Sequence, residues 1–233
     1  MTIKIVDSNR DGGNSNGRYV AVTWDGEYKR EQIQSMADSQ IGTLEDNFSE
    51  WCTEISNDNS QTSAFLLLDT KQELEPDVSD YESGIQKYSI GICGFCVYTV
   101  GSSTWVDDYL GIDDYSFYND KTDSIVGLVH IICLSDGYHG YGIGSEMTRV
   151  SSDRIEKIKI DVDSIVTAVV TREKHNRKDA RRMFERCGFE NLYHDTSYYD
   201  KIGEYIPCAD CNGSCSCGIA VLRMNISPTQ TEV

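Results

Sequence analysis

The stretch from Ile125 to Ile158, IVGLVHIICLSDGYHGYGIGSEMTRVSSDRIEKI, constrains the fold more than any other part of the chain. Residues Ile125–Leu134 are almost wholly apolar and rich in β-branched side chains, the composition of a strand buried on both faces. A turn carrying Gly137, Gly140, Gly142 and Gly144 follows, and Met147, Val150, Ile155 and Ile158 then recur at roughly helical spacing. Glycines let a backbone approach an anion closely, and the unpaired N–H groups that open a helix point at it. The expected local structure is a strand, a phosphate cradle built mainly of main-chain donors, and a helix.

Cradles of this kind differ in their side chains. A nucleoside-triphosphate loop needs Gly-Lys-Ser/Thr, and no lysine follows these glycines. A dinucleotide loop needs G-x-G-x-x-G with an acidic residue about 20 residues further on. The order here is His139-Gly140-Tyr141-Gly142-Ile143-Gly144, whose last two glycines are spaced G-x-G. An ordinary tight turn is the plain alternative. This run resembles the acyl-CoA pyrophosphate loop of the GCN5-related N-acetyltransferases, Q/R-x-x-G-x-G/A, with His139 where that family has Gln or Arg. A second block follows. Val162–Thr171 is a β-branched run, and Ala180, Met183, Phe184 and Cys187 then recur at i, i+3, i+4 and i+7. Gly188 is placed to end that helix in the left-handed conformation. The text NRKDARRMFERCGFENL is similar to the family's second signature, an Asn-led helix closing on Gly-Phe. The resemblance implies an α/β (α+β) fold, with a mixed, largely antiparallel sheet of six or seven strands and helices on both faces.

Length and charge bound the rest. A chain of 233 residues buries a full core, and it is read as one domain over residues 1–226 with a polar tail at 227–233. No run reaches membrane-span length and the segment MTIKIVDSNR lacks a signal-peptide core, so a cytoplasmic location is expected. In that compartment its nine cysteines are expected as thiols or metal ligands. Thirty-eight acidic against 21 basic residues leave a net charge of −17, which argues against nucleic acid or an anionic membrane as partner. The spread of the acids favours solubility in high salt, as in halophiles; recognition of cationic amines is the alternative. A monomer or homodimer is expected.

Strands are expected at residues 2–6, 19–24, 64–69, 88–100, 125–134, 162–171, 191–199 and 218–226, with 19–24 the least defined. From Glu31 to Ile55 one helical face carries Ile33, Met36, Ala37, Ile41, Leu44, Phe48, Trp51, Cys52 and Ile55, with Gly42 placed to split it in two. Cys93 and Cys96, three apart on a strand, are expected on opposite faces as small buried hydrophobes. Residues 102–123 mix six aspartates with Trp105, Tyr109, Tyr115, Phe117 and Tyr118. They replace a hairpin that is short in the family. A solvated acidic insertion is the favoured reading, and a lid for a cationic amine is the other.

The resemblance also implies a site. The strand ending near Leu134 would part from its neighbour and bind the coenzyme's arm at Cys133 and Leu134, with the Leu134 N–H polarising the acetyl carbonyl. His139, Gly140, Tyr141, Gly142, Ile143, Gly144 and Ser145 would hold the pyrophosphate, and Asn176 would contact the arm. His130 stands where the family often has a glutamate base, and an ordinary imidazole suits that task at neutral pH. A hydrogen-bonded core histidine fits the position equally well. Phe184 occupies the place of the family's thiolate-protonating tyrosine and has no proton to give. Finally, PCADCNGSCSCG, within residues 207–218, places Cys208, Cys211, Cys215 and Cys217 close enough to hold one structural zinc as four thiolates. Disulfides or redox thiols are the alternatives there. The expected activity is acetyl-CoA-dependent transfer to a primary amine, of a small molecule or a protein, in a ternary complex. A non-catalytic acyl-CoA-binding or zinc-stabilised interaction module is the second reading.

Overall fold

The computed structural model describes residues 5–7, 18–41, 45–57, 61–70, 91–111, 124–158, 161–171, 180–199 and 217–226. The first half comprises β1 (Ile5–Asp7), β2 (Tyr19–Thr23), α1 (Arg30–Ile41), α2 (Glu45–Ile55), β3 (Thr62–Asp69) and β4 (Gly91–Ser102). The second comprises α3 (Ser103–Leu110), β5 (Ile125–Leu134), α4 (Ile143–Ile158), β6 (Val162–Thr171), α5 (Arg181–Arg186), β7 (Glu190–Asp195) and β8 (Gly218–Asn225). Among the described residues one sheet takes the eight strands in the order β1-β2-β3-β4-β5-β6-β8-β7. The pairs β1–β2 and β5–β6 are parallel and every other pair is antiparallel. The mixed α/β class is as expected. The count exceeds six or seven because Tyr19–Thr23 is a full strand, paired on both edges.

Helices cover both faces of the sheet, and the apolar stripes explain which. Met147, Val150 and Ile155 of α4 and Phe184 of α5 pack on Cys96, Val129, Ile165 and Leu222. On the opposite face Ile33, Met36 and Ala37 of α1 and Phe48, Trp51 and Cys52 of α2 pack on Ala64, Phe95 and Ile131. Beside them Val106 of α3 meets Val126, Leu128 and Val221. Ser102 caps α3, its hydroxyl accepting from the Trp105 N–H, and Gly111 ends it at φ 56°. Part of the expected acidic insertion is therefore a capped amphipathic helix; Tyr115, Phe117 and Tyr118 lie outside the described residues, as does the 227–233 tail.

Two bulges decide which side chains face which core. The β3–β4 register shifts between Leu67 and Leu68, so Cys93 has no Cα partner on β3. The extra residue cancels the alternation, and Cys93 and Cys96 lie in the same core on the α4 side. The expectation of opposite faces is corrected by this bulge. Both are fully buried; the Cys93 thiol donates to the Leu67 carbonyl at 3.4 Å and burial pushes its pKa up to about 12. The second bulge lies in β5, where the register with β4 passes from Ile131 to Val129 and skips His130.

The α4 helix crosses β5 in close contact. A Cβ on Gly127 would stand 2.4 Å from Ile155 Cγ2. Gly127→Ala is expected to lower stability by about 2 kcal/mol through overpacking, measured by urea unfolding; an unchanged midpoint would show that α4 can lift away.

Candidate active site

The site begins where β5 and β6 part. Their pairing runs from Ile125↔Val162 to Val129↔Thr167 and stops, although β5 continues to Leu134 and β6 to Thr171. The Thr167 hydroxyl donates to the Val129 carbonyl at 3.0 Å at this last rung. On its other edge β5 stays paired with β4 up to Gly94↔Leu134. The Ser135 N–H bonds the Cys93 carbonyl at 2.9 Å, which makes Gly94 and Leu134 a non-hydrogen-bonded pair. The Leu134 N–H therefore points away from β4, into the gap beside β6. Cys133 lies one residue back, hydrogen-bonded through its thiol to the Met36 carbonyl and held protonated, its pKa pushed up by burial to about 12.

The glycine turn stands at the end of this gap. Gly137, Gly140 and Gly142 have φ of 89°, 84° and 84°, the left-handed region in which other residues are strained. No atom lies within 4 Å of where their Cβ atoms would be, so these glycines serve backbone shape rather than close packing. The first rung of α4 is Glu146 N–H to Gly142 carbonyl, which leaves the N–H groups of Ile143, Gly144 and Ser145 ahead of the helical ladder. Glu146 adds a negative charge in this first turn, and Arg149 pairs with it. Gly144 is needed for another reason: a Cβ there would meet Met183 Sδ of α5 at 2.5 Å. His139 is exposed, and Tyr141 projects outward with 67% of its surface accessible.

The turn is tied to the far side of the sheet. The Tyr138 hydroxyl donates to Asp69 Oδ2 at 3.1 Å, and Arg18 holds the same carboxylate through both Nε and Nη2. Asp69 is 1% exposed, so it is a paired buried charge, and its proximity adds to burial in pushing the Tyr138 pKa up to about 12. Tyr19 packs edge-on against Tyr138 with centroids 6.3 Å apart.

On the opposite side of the sheet His130, in step with Val126 and Leu128 of β5, faces an aromatic enclosure. Trp51 of α2 and Trp105 and Tyr109 of α3 lie with ring centroids 5.3, 6.4 and 4.9 Å from the imidazole. Nε2 is 2.7 Å from the Thr99 hydroxyl and Nδ1 is 3.0 Å from the Tyr109 hydroxyl. Burial lowers the His130 pKa to about 3. The resting ring is thus a neutral, hydrogen-bonded imidazole, the surroundings of the second of the two readings that this position allows.

The structure brings His130, Leu134 and the 139–145 turn onto one strand and its exit. Phe184 is a core side chain, 3% exposed and edge-on to Phe189 at 5.2 Å. Asn176, Cys208, Cys211 and Cys215 lie outside the described residues, and Cys217 is buried at the start of β8. Among the described residues no group of three or more His, Cys, Asp or Glu side chains is arranged for a metal. Sequence reasoning missed Thr99 and the Arg18–Asp69–Tyr138 anchor, which no local pattern marks. The i, i+4 spacing of Trp105 and Tyr109 was the readable sign of an aromatic helix face.

No protein-family model matches the sequence, nor does any curated protein. Solved structures do match the fold. NAA60 of Arabidopsis thaliana in complex with acetyl-CoA aligns with a TM-score of 0.57 at 13% identity, covering 89% of this chain and 98% of its own. The dodecameric spermidine N-acetyltransferase of Vibrio cholerae aligns at 0.53 and 11% identity, covering 92% and 97%. The NatC complex bound to Gag peptide and CoA aligns at 0.53 and 12%, covering 90% and 99%. The fold is that of the N-acetyltransferases.

The imidazole shift carries a sign that can be measured. The fold favours neutral His130, so its contribution is full above the unfolded pKa of about 6.5 and is lost as pH falls toward about 3. The His130 ring signal is expected to hold its neutral NMR shift from pH 8 to 5, and His130→Phe should lose less stability than wild type over that range. Titration of the ring near pH 6.5 would contradict its burial.

Proposed function

We propose that the protein is an acetyl-CoA-dependent N-acetyltransferase acting on a primary amine. The observation that carries this reading is the opening of the sheet past Val129, with the Leu134 N–H directed into it and a glycine turn and helix N-terminus at its end. In this reading the pyrophosphate lies against the N–H groups of residues 139–145, Ile143, Gly144 and Ser145 above all. The thioester arm adds to the free edge of β5 beside Cys133 and Leu134, where the Leu134 N–H polarises the acetyl carbonyl. Asn176 completes the arm's contacts.

His130, neutral at its Nδ1–Nε2 ring, takes the first proton from the ammonium form of the substrate. The amine nitrogen then bonds to the acetyl carbon and the C–S bond breaks. The nitrogen's second proton, shed as the amide forms, joins the thiolate sulfur. Phe184 takes no part in this. Its burial is also the observation that favours the second reading, a domain that binds acyl-CoA without turnover. A structural zinc on Cys208, Cys211, Cys215 and Cys217 is a companion proposal, supported by the chemistry of four thiolates alone. Metal analysis of protein purified without added zinc should find the ion, and reactive thiols with no metal would remove it.

Calorimetry should detect acetyl-CoA binding, and thiol release should depend on an added primary amine. Binding with no release on any amine would select the non-catalytic reading; no binding would end both. Gly142→Ala is expected to weaken acetyl-CoA about tenfold, since a left-handed alanine costs about 1–2 kcal/mol.

A further inference from the structure

Beyond His130 the hydrogen bonds continue in one line through five elements. Glu54 of α2 accepts from the Thr62 hydroxyl of β3, Thr62 meets Thr99 of β4 at 2.8 Å, Thr99 meets His130 Nε2, and Nδ1 meets Tyr109 of α3. Thr62 and Thr99 are 5% and 6% exposed, so water does not compete along the middle of the line.

The line has a direction. A carboxylate can only accept, so the Thr62 hydroxyl donates to Glu54 and its oxygen accepts from Thr99. The Thr99 proton being spent there, its oxygen accepts from Nε2–H. Nδ1 is then left with a lone pair, and the Tyr109 hydroxyl donates to it. Tyr109 is also 43% exposed, so an incoming amine can reach the imidazole end of the line through it.

We propose that Glu54, acting through Thr62 and Thr99, is the positioning residue that fixes the His130 tautomer and balances its charge, with Tyr109 as the contact to the amine. This rests on the acetyl-transfer reading. The ammonium N–H bond breaks and its proton joins the Tyr109 oxygen as the phenolic proton passes to Nδ1. Ammonium and imidazole become amine and imidazolium, with charge conserved. The imidazolium keeps Nε2–H on Thr99, where the oriented hydroxyls and the Glu54 carboxylate oppose its charge. After amide and thiol have formed, Nδ1 returns its proton through Tyr109 to water, and the original tautomer is restored. A buried imidazole pulled toward low basicity needs such a counterweight, and Glu54 is the carboxylate that the line reaches.

The test uses the full chain with acetyl-CoA and two probe amines, spermidine and a tripeptide with a free N-terminus. Glu54→Gln and Thr99→Val are expected to lower kcat on the order of 100-fold while KM for acetyl-CoA stays within about twofold. Thr99→Ser should restore most of the loss, and the Glu54→Gln/Thr99→Val double variant should be no worse than Thr99→Val alone. Calorimetric binding of acetyl-CoA by each variant verifies the fold independently of turnover. In wild type, ¹⁵N NMR should find the proton on Nε2 and a bare Nδ1. A proton resident on Nδ1, or an active wild type whose Glu54→Gln variant is unimpaired, overturns the proposal and leaves acetyl transfer standing. A wild type that binds acetyl-CoA but is inert on these two and every other primary amine offered overturns acetyl transfer and this role together.

Discussion

Everything distinctive about this molecule depends on β5 being held on one edge and released on the other. Its apolar, β-branched residues keep it zipped to β4 as far as Leu134, while its bonds to β6 end at Val129. A sheet that stayed paired would have no free main-chain groups in its middle and no space between strands. The opening exposes backbone donors inside an otherwise dry core. Such groups are costly without partners, which makes the gap a place that favours a polar, extended occupant.

The bulge in the same strand supplies the second half of the site. By adding one residue between Val129 and Ile131, it lets Ile131 share the α2–α3 side with His130 while Val129 stays in the α4-side core. Aromatic rings then surround the imidazole, and their desolvation is stronger than any neighbouring charge in setting its protonation state. The same strand thus presents backbone donors at its edge and a neutral, directionally bonded side chain on its face.

Much of this was legible. Ile125–Leu134 and Val162–Thr171 have the ends their apolar runs set, and Gly188 closes its helix at φ 95° as its place before Phe189 required. Both runs are continuous and bounded by turn residues, so local pattern is enough. The bulges at Cys93 and His130 were not legible, because a bulge belongs to a pair of strands and leaves no mark in either sequence alone. That is why Cys93 and Cys96 were assigned to the wrong faces, and why the imidazole's surroundings were unseen. Thr99 falls within the expected strand 88–100 and Thr62 just ahead of the one at 64–69; only the pairing of β3 with β4 places them side by side.

The anchor formed by Arg18, Asp69 and Tyr138 joins residues from three distant parts of the chain. The glycine turn is therefore not a local object: its shape is held by the chain's opening third. By linkage, any occupant of the turn that binds only the native form also stabilises β2 and β3. Its arrival should be felt as slower amide hydrogen exchange along Tyr19–Thr23, on strands that do not themselves line the gap.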